Sequence, residues 1–96
     1  MWDNEDWASR HIRKHSVTPQ EAWEVVFEDR RVIPLRARDQ LRYPPFIRYW
    51  TIGRTRAGRE LLVVWDKFRE TRHLITAFEP HEEKVAFYEK EKKKKR

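Results

Sequence analysis

Residues 48–88 read RYWTIGRTRAGRELLVVWDKFRETRHLITAFEPHEEKVAFY, and this stretch decides the fold. Phe46–Arg54 and Arg59–Asp66 are two strand-length runs with Gly58 between them. Such runs separated by a glycine read as a hairpin. Arg59–Asp66 is the most apolar run, which predicts the centre of the sheet. Lys67–Glu70 turns the chain into a third strand, Thr71–Phe78. Pro80 then opens a helix with Glu82 and Glu83 in its first turn and lysines at its end, charges that suit the helix dipole.

Working outward, the N-terminal third carries helical signals. Met1–Trp2 reads as a short strand or a packed terminus. Asp3 and Asn4 are good caps for a helix running to about His15, in which Ala8, Ile12 and His15 form one stripe beside Trp7. Thr18-Pro19-Gln20-Glu21 supplies a cap, a proline at the first helical position and a capping-box glutamate. Val17 and Ala22 are spaced for a hydrophobic staple. This second helix places Trp23, Val26 and Phe27 on its buried side and ends near Glu28–Arg30. Arg31–Leu35 reads as a strand that Pro34 confines to an edge, and 37–45 as a loop around Pro44-Pro45. The expected class is α+β, in the order α-α-β-β-β-β-α, with an antiparallel sheet packed by helices. Residues 1–89 make one domain and 90–96 a basic tail.

Charge is distributed unevenly. Residues 1–29 carry a net −4, 30–72 a net +8, 73–89 a net −3 and 90–96 a net +5. Eleven of the twelve basic residues in the middle segment are arginine. Arginine presents a planar fork that matches phosphate oxygens, so the segment reads first as a surface for RNA or another polyanion. Five Trp and five Phe give a chain of 96 residues enough bulk to close a core. The absence of cysteine excludes disulfides and thiolate metal sites and fits a reducing cytoplasm. No apolar run reaches membrane-spanning length, and the acidic, Trp-containing N-terminus is unlike a signal peptide.

Several short motifs, in order, resemble the BrnT-type toxins of bacterial type II toxin–antitoxin systems. His11-Ile12-Arg13-Lys14-His15 followed by Val17-Thr18-Pro19 looks like that family's helix ending in Lys-His-Gly-Val, with Ser16 where Gly is usual. Ile52-Gly53-Arg54-Thr55 and Ala57-Gly58-Arg59 look like its central hairpin, and Leu74-Ile75-Thr76-Ala77 with Phe87-Tyr88-Glu89 its last strand and helix. The resemblance spans Trp2 to about Glu89. It implies a RelE-like fold and a metal-independent endoribonuclease that slows translation, with no cofactor. It also implies a ribbon-helix-helix antitoxin from the adjacent gene, through which alone operator DNA is reached; involvement of the ribosome is left open. Two positions depart from the pattern: Phe78 stands where the family's last strand commonly ends in Arg, and His73 where an Arg is common.

Metal-free RNA cleavage needs a base for the 2′-hydroxyl, cations for the phosphate and an acid for the leaving oxygen. Alternation puts Arg48, Trp50, Ile52 and Arg54 on one strand face, two cations flanking an aromatic ring. Arg54, at the family's Gly-Arg step, is the phosphate candidate, with a solvated strand-end charge as the plainer reading; Arg59 after the turn is weighed in the same way. Among the four His, His73 is the acid–base candidate because imidazole titrates near neutrality and this one lies among arginines. Arg72 should lie on the opposite face. The family match suggests Lys14 and His15 as RNA contacts. Tyr88 is a further candidate, although the His81, Val85, Tyr88 stripe fits a core tyrosine better. His11 and His15 share a helix face, but no Cys or intervening metalloprotease Glu supports a metal site. Trp65, amid Leu61–Val64, belongs to the core.

The sheet's central run is apolar on both parities, so it needs cover on both sides. One short terminal helix leaves part of one side open, a patch suited to an antitoxin segment. The leading reading is a ribonuclease toxin. The alternative is a relative that binds antitoxin or RNA without cutting, which Phe78 favours; an unrelated basic nucleic-acid-binding protein is a third.

Overall fold

The computed structural model describes residues 1–37 and 45–94. The helices are α1 (Glu5–Ile12), α2 (Pro19–Trp23) and α3 (Glu82–Lys94). The strands are β1 (Leu35–Arg36), β2 (Ile47–Arg54), β3 (Glu60–Phe68) and β4 (Thr71–Phe78), all antiparallel in the order β1-β2-β3-β4. The α+β order expected from the sequence holds, and β3 is flanked on both sides. The Pro44-Pro45 loop expected at 37–45 lies mostly outside the described residues.

The two N-terminal helices bury one sheet face. Ala8 and Ile12 of α1, with Ala22, Val25 and Val26, pack on Leu61, Val63, Trp65, Leu74 and Ala77. Thr18 caps α2 as expected: its hydroxyl accepts from the Glu21 amide at 3.2 Å, and the Glu21 carboxylate accepts from the Thr18 amide at 3.0 Å. Asn4 stands at the N-cap of α1, but its side chain is used elsewhere. Its amide donates to the Leu74 carbonyl and accepts from the Leu74 amide, both at 2.9 Å. The Asp3 backbone amide donates to the Arg72 carbonyl at 2.9 Å, and its carboxylate accepts from the Arg72 amide at 2.7 Å. Residues 3 and 4 thus satisfy strand groups along part of β4's edge, which would otherwise invite pairing with another chain. Trp2 is buried against Trp23, Phe27 and Trp65.

Two stretches differ from expectation. After Trp23 the helix widens into a π turn, Glu24–Glu28, which rotates the following side chains. Val25 and Glu24 are therefore buried, whereas Phe27, expected inside, is 37% exposed. The first strand is only two residues long. Asp29 draws the preceding segment toward the β2–β3 hairpin, its carboxylate accepting from the Arg31 and Arg54 amides at 3.0 and 2.8 Å. This close approach requires Gly53, where a Cβ would overlap Val32 Cγ1 and sit 3.0 Å from Asp29 Oδ2.

Helix α3 lies on the other face. Tyr88 is fully buried with Leu35, Ile52 and Leu62. Its hydroxyl donates to the Ile33 carbonyl at 2.8 Å and accepts from the Ile33 amide at 3.0 Å. Burial pushes the phenol above its ordinary pKa, so it stays a donor. One aromatic side chain therefore holds both the helix and the segment entering β1.

Candidate functional site

Because α3 covers only part of its sheet face, a groove of about 640 Å³ remains beside it. The sheet contributes Trp50, Val64 and Phe78, and α3 contributes Lys84 and Phe87. Trp50 and Phe87 lie nearly parallel, with centroids 6.0 Å apart and a 16° interplanar angle. Lys84 Nζ stands 5.1 Å from the Trp50 centroid and 5.7 Å from that of Phe87, a cation held on an aromatic wall. Arg36 and Arg48 stand at the rim, together with Glu91. An apolar floor with a cationic edge can take an apolar segment bearing acids or an unstacked base.

The expected catalytic residues do not converge. Register places Arg48, Asp66 and His73 in one row across β2, β3 and β4. Arg54 lies six residues along β2 from Arg48, so it is roughly 20 Å from that row at strand spacing. Arg48 is forked onto Asp66, Nε to Oδ1 at 2.7 Å and Nη2 to Oδ2 at 3.0 Å. His73 stacks on Phe46, with centroids 5.0 Å apart and 24° between planes. Arg72 does face the other way, over Phe27 at 5.0 Å. The bulge in β4 falls beyond both residues, where Val64 pairs with Thr76 and Trp65 with Leu74.

Arg59 is a clamp. Its Nε and Nη2 donate to Glu79 at 3.1 and 2.9 Å, and Nη1 donates to the Ser16 carbonyl at 2.6 Å and to Glu21 at 3.3 Å. Nη2 also reaches the His15 carbonyl at 3.4 Å. These five bonds match the five donors a guanidinium has, so Arg59, expected as a phosphate ligand, is engaged within the chain. Glu79, just after β4, raises the Arg59 pKa further. Arg54 is exposed, and its own amide is committed to Asp29. Arg56 forks onto Glu28 at 2.7 and 2.8 Å. Four of the arginines that suggested a polyanion surface, Arg31, Arg48, Arg56 and Arg59, are therefore paired with carboxylates.

Of the remaining candidates, Trp50 lines the groove, while Tyr88 has no exposed ring to offer a base. Lys14 is exposed; His15 is half-buried, its ring 5.7 Å from that of Phe78. Sequence reasoning missed Asp66, Lys84, Phe87 and Glu24. Glu24 is buried and accepts from the Arg56 amide at 3.0 Å and from Gln20 at 3.1 Å. Chiefly through the Arg56 amide, against the penalty of burial, its pKa is held below the ordinary carboxylate value. Among the described residues, no group of three or more His, Asp and Glu is placed to hold a metal, and no helix is long and apolar enough to cross a membrane.

Searches of protein-family models, curated proteins and solved structures find no match to this chain.

Proposed function

We propose that this chain is the toxin-type member of a type II toxin–antitoxin pair, as its BrnT resemblance implies, and that it binds RNA and an antitoxin without cutting RNA. The observation that carries this reading is the separation of the expected catalytic set. His73 lies at the opposite end of the sheet from Arg54 and Arg59, and Arg59 has every donor engaged. A phosphorane needs cations within hydrogen-bond reach of the group that moves the proton. The groove beside α3 suits an apolar antitoxin segment, supplied by a ribbon-helix-helix protein encoded next to this chain. The adjacent product should co-elute on size-exclusion chromatography after co-expression; two separate peaks would count against the pairing. Antitoxin-free protein in EDTA should shift RNA in a gel but leave total RNA and translating ribosomes uncut.

A second reading, RNA cleavage, is favoured by the row of Arg48, Asp66 and His73 on one sheet face. In it, His73 transfers the proton and Arg48 turns from Asp66 to the phosphate. EDTA-resistant cleavage that falls on the order of 10²-fold or more in His73→Ala would establish it.

A further inference from the structure

Three cations without carboxylate partners stand together on a surface away from the groove. Arg10, Arg13 and Lys14 are exposed on α1 and the 3-10 turn Arg13–His15 that extends it. Among the described residues none of the three forms a salt bridge or side-chain hydrogen bond, whereas Arg31, Arg48, Arg56 and Arg59 all do. Beside them is an aromatic ledge. Trp7 is 42% exposed and stacks on His11, with centroids 4.2 Å apart and planes 18° apart. Trp7, His11 and Lys14 follow the i, i+4, i+7 spacing of one helix face, with Arg10 next to it, whereas Ala8 and Ile12 turn inward.

Glu5 and Asp6 occupy the first turn of α1, and Asp6, one turn before Arg10, forms no salt bridge with it. Glu21 and Glu79, near Ser16, are both held by Arg59. Trp7 and His11 thus share the exposed side of this segment with three cations that form no ion pair. Single-stranded nucleic acids are held by this combination: a base stacks on the ring and phosphates lie on the cations.

We infer that the outer face of α1 and its 3-10 extension is an RNA-binding surface for an unpaired strand, with Trp7 and His11 as the stacking platform and Arg10, Arg13 and Lys14 as phosphate contacts. This rests on the proposed RNA-directed function and specifies where the RNA lies. The strand is not required to enter the groove, so RNA and an antitoxin segment can occupy separate surfaces.

The test is fluorescence anisotropy of the full chain with a labelled single-stranded RNA of about 12 nucleotides, within the usual site-size range, over a salt series. The variant with Arg10→Gln, Arg13→Gln and Lys14→Gln should lower the slope of log affinity against log salt by about 2, near 0.7 per single-strand phosphate contact. Trp7→Ala should weaken binding about tenfold, and Trp7→Phe should restore most of it. The glutamine variant changes only exposed side chains, and its thermal melt reports whether it stays folded. If wild type binds RNA and the glutamine variant binds with the same slope, this surface is wrong while the RNA reading stands. If the glutamine variant loses the co-expressed antitoxin but keeps its RNA affinity, the surface serves the protein partner and the inference fails. If wild type binds no RNA at any salt, the RNA reading itself fails.

Discussion

Replacing Asp66 with Asn tests whether the sheet arginines are bound internally. Arg48 and Asp66 keep 17% and 9% of their side-chain surface exposed and share two short bonds. Removing one member of a fully buried pair costs about 3–5 kcal/mol, because the other charge is left desolvated. Arg48 reaches some solvent, so Asp66→Asn should cost about 2–3 kcal/mol. Arg48→Met, which keeps much of the apolar stem, should cost a similar amount. The double variant should cost little more than either single change, giving a coupling of about 2 kcal/mol. Urea unfolding followed by tryptophan fluorescence measures all four proteins, and each single variant should melt roughly 10–20 °C lower. Additive losses, with a coupling below about 0.5 kcal/mol, would show that Arg48 is not bound to Asp66 and would return it to the polyanion surface.

Ser16 ends the first helical segment at φ 57°, a left-handed conformation that costs an L residue about 1 kcal/mol relative to glycine. Ser16→Gly should therefore raise the melting temperature by a few degrees. Tyr88→Phe should destabilise by about 1–3 kcal/mol, because both backbone groups of Ile33 lose their partner, and should raise hydrogen exchange at the Ile33 amide. Glu24 and Asp29 both have lowered pKa values. For Glu24 the Arg56 amide leads; for Asp29 burial pushes upward, but hydrogen bonds from Arg54 and Arg31 outweigh it. The unfolded chain therefore binds more protons in acid. Their stabilisation is complete above the ordinary values of 4.5 and 3.8 and is lost as pH falls through the lowered ones. Denaturant midpoints between pH 7 and 3 should decline at the acid end, and Glu24→Gln should flatten that decline.

The local signals in the sequence transferred well to the structure. Thr71–Phe78 is the strand it was read to be, Thr18 and Glu21 close their capping box, and the His81, Val85, Tyr88 stripe correctly implied a core tyrosine. These features depend on neighbours within a few residues. The misread features depend on distant partners. Asp66 meets Arg48 only through the β2–β3 register, and Arg59 finds Ser16, Glu21 and Glu79 only after the helices dock. Asn4 looked like a cap but serves a strand seventy residues away in sequence. The π turn has no composition signature, so the burial of Glu24 and Val25 was not foreseen, and Phe27 packs on Trp2 and Trp65 from a partly exposed position. The open side of the sheet was anticipated from the apolar parities of Leu61–Trp65, but Lys84 and Phe87 at its wall follow from how α3 crosses it.

Whether the sheet arginines or the α1 cations meet RNA can be read directly from the arginine side chains. The measurement is a titration of the isotope-labelled protein with single-stranded RNA, following each arginine Nε–H resonance by NMR. Nε of Arg48, Arg56 and Arg59 donates to a carboxylate, so these resonances should be protected from exchange in the free protein and unmoved by RNA. Those of Arg10 and Arg13 should shift and broaden as RNA is added. Large shifts at Arg59 and Arg54, with Arg10 and Arg13 unchanged, would place the RNA on the hairpin end of the sheet and contradict the assignment.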